Sequence, residues 1–203
     1  NEGGTKLKFE KYKVVIIVLL LVSLAANIFF FMETKNLKEK IGHEVGTFSD
    51  IVLMTVPSEI LNMLSQEGIL HDGSFERIDG EFKVGIPFYI LSNGIQEIEN
   101  YFRYTERQFI EFKMAYKESD DKDTEEIIKL RKELVETCEK GVELYHKLNI
   151  YFDKHSGSNG AYDRRSNNNK IDRMWYQAYK DKENEIRKLI VETLGEERTK
   201  IVI

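Results

Sequence analysis

The sequence predicts a mainly α protein: one N-terminal transmembrane helix, then a roughly four-helix bundle with a small hairpin or irregular insert near residues 69–91. Three observations carry this. The residues from Val14 to Met32 hold no charge. Apolar residues beyond them recur every three or four positions, which is the helical period. Only two prolines occur, Pro57 and Pro87, in a chain rich in Lys and Glu, a composition that favours helices.

A helix over Val14–Met32 spans roughly 28 Å at about 1.5 Å per residue, close to the ~30 Å hydrocarbon core of a bilayer. Two other readings compete with a membrane anchor. Ser23-Leu24-Ala25 before Ala26 would suit a signal-peptide cut. Cleavage there leaves Ile28-Phe29-Phe30-Phe31-Met32 in water near a free N-terminus. A buried core helix would show a polar face, and this segment has only Ser23 and Asn27. The uncleaved anchor is therefore expected, in the cell membrane as a single pass. Lys6, Lys8, Lys11 and Lys13 precede the span, and Lys35, Lys38 and Lys40 come after it. That small excess places residues 1–13 in the cytoplasm, 14–32 in the membrane and 33–203 outside.

Of the 30 basic and 35 acidic residues, four lysines and two glutamates lie before residue 33, which leaves 26 against 33 and a formal charge of −7 beyond the span. A nucleic-acid binder would carry a basic stripe instead, so no nucleic acid is expected as a partner. Cys138 is the only cysteine, which rules out an internal disulfide. A segment of this length can bury a core without one.

The elements run in order along the chain. Leu37, Ile41, Val45, Phe48 and Val52 extend a helix beyond the span, weakened by Gly42 and Gly46. Pro57 must kink or restart it. Ile60, Leu61 and Leu64 face inward in a short helix that Gly68 ends. Asp79-Gly80, between Phe75-Glu76-Arg77-Ile78 and Glu81-Phe82-Lys83-Val84, is a hairpin signal. Ile95, Ile98, Phe102, Thr105, Phe109, Phe112 and Tyr116 mark a helix over 93–118, with Asn93 and Gln96 as a capping box. After a polar turn, Asp123 with Glu126 starts another helix. Ile127, Leu130, Leu134, Cys138, Gly141, Tyr145, Leu148 and Phe152 form its stripe, antiparallel to the first. Residues 153–170, with Ser156, Gly157, Gly160 and Asn167-Asn168-Asn169, read as a long loop. A last helix covers 171–194, with Gly195 as its stop. Ile201-Val202-Ile203 would dock as a strand or fray.

No catalytic signature emerges. Glu143 and His146 form a single Glu-x-x-His pair, whereas di-iron bundles use two such pairs with further Glu residues. His43, His71, His146 and His155 show no zinc spacing. Cys138 lies on an apolar stripe, and His146 is about 12 Å along the same helix, too far for a dyad. No metal, cofactor or enzymatic activity is expected. Tyr101, Tyr104, Tyr176 and Tyr179 fall off the core stripes. Tyrosines so placed mark a partner surface or widen the core. Lys154, Arg164, Arg165 and Lys170 would make the long loop a recognition element or a plain surface loop.

Ser23 and Asn27 lie four apart and share one face of the span. A polar pair facing lipid is costly, whereas one facing another helix can hydrogen-bond to it. This face is expected to contact a partner helix, either a second copy or another subunit. In general layout the chain resembles single-pass extracytoplasmic helical proteins of low-GC Gram-positive bacteria, a likeness of composition that assigns no residue a role. The expected function is a non-enzymatic, membrane-anchored interaction or sensory module acting through a membrane partner. The alternative is an accessory or structural subunit of a transporter or secretion apparatus.

Overall fold

The computed structural model describes residues 2–66, 70–83, 95–156 and 168–200. These are almost entirely helical, and no strand occurs among the described residues. The chain divides into two compact units, Asn1–Lys40 and Ile41–Ile203.

Helix α1 covers Glu2–Asp50. From Val15 to Met32 every side chain is exposed. The helix is long and apolar enough to cross a membrane, and its most apolar stretch is 0% buried, which removes the core-helix alternative. Leu37 departs from expectation: it is 57% exposed, whereas Val45, Phe48 and Val52 of the same proposed stripe are buried.

Ile51–Thr55 is a π-helical turn in which the Val56 N–H donates to the Ile51 carbonyl, one residue beyond the α pattern. Pro57 comes next, in the first turn of α2 (Val56–Ser65). Proline has no N–H to donate to the preceding turn, and the widened π turn directly upstream is where the helix accommodates that loss. The expected restart at Pro57 is thus made by a π turn just upstream. At its other end, the Arg131 guanidinium donates to the Leu64 carbonyl. Gly68 lies outside the described residues.

Residues 72–83 correct the hairpin expectation, because they form helix α3 (Asp72–Lys83) with Asp79-Gly80 inside it. Phe75 and Ile78 are 1% and 0% exposed, and Phe82 packs beside them. Their spacing of three and four puts all three on one helical face, and burial of that face outweighs the local turn signal. Two ion pairs tie the helix down, Asp72 to Lys117 and Asp79 to Lys113. Hydrogen bonding from Lys117 holds the Asp72 carboxyl below its usual range. Residues 84–91, the rest of the proposed insert, lie outside the described residues.

Gly80 provides a sign test of this correction. A Cβ there would meet nothing within 4 Å, and among the described residues only Gly195 has positive φ. Gly80→Ala should therefore stabilise the fold by about 0.5–1 kcal/mol, the difference in helix propensity. In a hairpin turn the same change would destabilise. Thermal unfolding followed by circular dichroism reads the sign.

Helix α4 (Gln96–Glu118) buries the proposed stripe from Ile98 to Tyr116 without exception. Ile95 holds the cap position; Asn93 lies outside the described residues. Helix α5 (Glu125–Ser156) starts one residue later than its expected signal. Thr124 is its cap, the hydroxyl accepting from the Ile127 N–H at 3.3 Å. Leu134, Cys138, Leu148 and Phe152 are buried along its length.

The single helix proposed over 171–194 is two, α6 (Asn168–Lys180) and α7 (Glu185–Leu194). Asp181 and Asn184 cause the break. The Asp181 carboxylate accepts from the Glu183 N–H, and the Asn184 side chain accepts from the Ile186 N–H, both at 2.9 Å. Side chains that bond nearby backbone in this way compete with helix continuation. Gly195, at φ +85°, ends α7, and α8 (Glu196–Thr199) comes directly after it. Of the proposed 153–170 loop, the two ends are helical; residues 157–167 lie outside the described residues, as do Ile201-Val202-Ile203.

Helix α5 is the element on which α2, the π turn, α4 and α7 pack. Between α1 and α6 the approach is close enough to need glycine. A Cβ on Gly42 would lie 1.7 Å from the Asp172 carbonyl oxygen, and one on Gly46 2.7 Å from the Trp175 ring.

Candidate interaction surface

The polar residues of the apolar segment share a face by helix period alone. Ser23 and Asn27 are 400° apart in rotation at about 100° per residue, hence about 40° from each other on one face. Both are exposed. Among the described residues no hydrogen bond engages the Ser23 hydroxyl or the Asn27 amide. Thr34, two turns on, differs: its hydroxyl donates to the Phe30 carbonyl at 2.7 Å.

The four proposed surface tyrosines do not form one group. Tyr101 is corrected outright, because it is 0% exposed. Its hydroxyl donates to the Thr137 carbonyl at 3.0 Å, and burial pushes that hydroxyl's pKa up. Here the core is wider than one stripe, since α4 meets α5 on one side and α8 beside it. A Cβ on Gly141 would lie 2.2 Å from the Tyr101 hydroxyl, so that glycine makes room for the ring. Tyr104 is half-buried. The Gln108 amide donates to it at 3.4 Å, and the Arg107 guanidinium lies over its ring at 5.3 Å. Tyr176 and Tyr179 are half-buried with ring centroids 6.1 Å apart, and Tyr179 packs against the core.

The residues singled out for chemistry lie apart from one another along the helices. Glu143 pairs with Lys147 at 2.8 Å and Lys140 at 2.9 Å, and hydrogen bonds from them lower its pKa. His146 is exposed. Among the described residues no group of three or more His, Cys, Asp or Glu could hold a metal. Cys138 is fully buried, and burial pushes its thiol pKa up, away from the thiolate a nucleophile needs. His43 lies 3.6 Å from Asp172, and His155 bonds the Tyr151 carbonyl at 2.7 Å. His71 is exposed.

Two polar arrangements have no counterpart in the sequence pattern. Arg187 is 5% exposed and donates to both carboxylate oxygens of Glu97, at 2.8 and 2.7 Å. Arg198 donates to Glu136 at 2.9 Å and to the Thr137 hydroxyl at 3.3 Å. Each joins helices far apart in sequence, so neither has a local signature. Both are paired within the fold, which suits them to bracing α4 against α7 and α5 against α8 rather than to binding an anion.

The helical unit also exposes apolar side chains. Ile110 and Met114, one turn apart on α4, are 42% and 53% exposed. Comparison with protein-family models, with curated proteins and with solved structures finds no match.

Proposed function

We propose that this chain is a non-enzymatic, membrane-anchored interaction or sensory module that acts through a membrane partner. In this reading Val14–Met32 is an uncleaved anchor in the cell membrane, the N-terminus is cytoplasmic and residues 33–203 fold outside as a helical bundle. The observation that carries it is the exposed Ser23–Asn27 pair, the only polar side chains in an otherwise apolar span. A hydrogen-bonding partner helix would relieve the cost of holding them in lipid.

Photocrosslinking in native membranes tests the proposal. A photoreactive residue at Ser23 or Asn27 should attach to protein, and one at Ala25, on the opposite face, to lipid. Equal labelling at the two faces would overturn the reading. So would release of the chain by alkaline extraction, the outcome expected of a cleaved signal.

A further inference from the structure

Within Asn1–Lys40 the two polar side chains belong to a longer pattern. Leu20, Ser23, Asn27, Phe30, Thr34 and Leu37 succeed one another at spacings of 3, 4, 3, 4 and 3. That is the alternation of a coiled-coil seam, with Leu20, Asn27 and Thr34 at the a positions and Ser23, Phe30 and Leu37 at d. All six are exposed. The seam passes beyond the uncharged span to Leu37, which is 57% exposed among charged neighbours. Lipid can cover Leu20 and Phe30. It is a poor cover for a leucine flanked by Lys35, Lys38 and Lys40.

We infer that this seam pairs with the same seam of a second copy of the chain, as a parallel, in-register dimer. The inference rests on the membrane-partner reading above and names the partner. Charge complementarity selects a second copy. In heptad positions Glu33 is a g residue and Lys38 is the e residue five places on. In a parallel dimer each g residue faces the partner's e residue of the next heptad, so Glu33 meets Lys38 of the other copy twice by symmetry. Two identical chains inserted by the same signals point the same way, which makes the pairing parallel. Asn27 stands at an a position, where one buried Asn fixes register and favours a two-stranded assembly. A straight helix drifts about 20° per heptad from a strict seven-residue repeat, so a seam from Leu20 to Leu37 implies a gentle left-handed crossing. A steeper right-handed crossing centred on Ser23 and Asn27 would carry the Leu37 pair apart.

Cysteine crosslinking of the full chain in lipid bilayers decides the matter. Cys138 is buried, so the unmodified chain is the control. Leu37→Cys should form a covalent dimer on oxidation. Lys35→Cys, on the far side of the helix, should not, because a disulfide needs Cα atoms within about 7 Å. Replacing both Ser23 and Asn27 by Leu should cut the Leu37→Cys dimer by roughly threefold to twentyfold, the range for interhelical hydrogen bonds in membranes. Glu33→Lys or Lys38→Glu alone should each cut it by about threefold to fivefold, as expected of exposed ion pairs. The double swap should restore it, and a swap that fails to restore overturns the parallel register. If Leu37→Cys stays monomeric while a photoreactive residue at Asn27 still captures another protein, the second copy is overturned and the membrane-partner reading stands. If Asn27 captures nothing, both fall.

Discussion

Gly42→Ala is expected to destabilise the helical unit by about 3 kcal/mol, the upper end of the usual cost of overpacking. The new methyl would sit 1.7 Å from the Asp172 carbonyl oxygen and 2.5 Å from its carbon. Both atoms are backbone, so no rotamer change clears them, and α1 and α6 must separate. Separation also uncovers Trp175, now 3% exposed and packed at a tilt against Phe152, with 5.2 Å between ring centroids. Trp175 is the only tryptophan, so its fluorescence in urea titrations reports this packing directly. Gly73→Ala is the control, because a Cβ there meets nothing within 4 Å. In an exposed helix Gly→Ala ordinarily stabilises by about 1 kcal/mol. Gly80, inside α3, should obey that rule, Gly73, in its first turn, should change little, and Gly42 should invert it. A Gly42→Ala chain as stable as Gly73→Ala would show that α1 and α6 do not meet at Gly42.

Phe75→Ala should cost about 4 kcal/mol, within the range for truncating a buried aromatic side chain. Phe75 is 1% exposed. Its ring centroid lies 6.1 Å from Phe109, 6.3 Å from Phe112 and 5.8 Å from Tyr116. Removing it leaves a void that a short helix cannot easily collapse, and it loosens α3 from α4. The ion pairs of Asp72 and Asp79 with lysines on α4 would not compensate, because water and salt screen pairs as exposed as these. Glu76→Ala, on the exposed side of α3, should change stability by less than about 0.5 kcal/mol. Chemical denaturation of the three chains side by side checks the difference. A Phe75→Ala chain that unfolds with the Glu76→Ala chain would contradict the aromatic core.

The candidate contact was legible in the sequence for a simple reason. Helix period alone places Ser23 and Asn27 on one face, and no tertiary contact is needed to say so. The tyrosines were not legible in that way. Tyr101 and Tyr104 differ by three residues and both lie off the apolar stripe of α4. One is fully buried, its hydroxyl bonded to the Thr137 carbonyl of α5, and the other is half-exposed beside the Arg107 guanidinium. A one-dimensional pattern records the width of a stripe and not how many neighbours cover it. The hairpin expectation failed for a related reason. Asp79-Gly80 is a local signal, whereas Phe75, Ile78 and Phe82 answer to Phe102, Phe109 and Phe112, which lie far along the chain on another helix.

By itself the sequence determined the apolar N-terminal helix, the helical character of the chain beyond it, and the inward faces of α4 and α5. These depend on the helical period and on missing charges, which are properties of consecutive residues. Only the tertiary structure decided the helical state of residues 72–83, the burial of Tyr101, and the use of Gly42 and Gly46 as sites of close approach. Each of these depends on which surface arrives from elsewhere in the chain. A glycine reads as a weak point in a helix until another helix is found pressed against it.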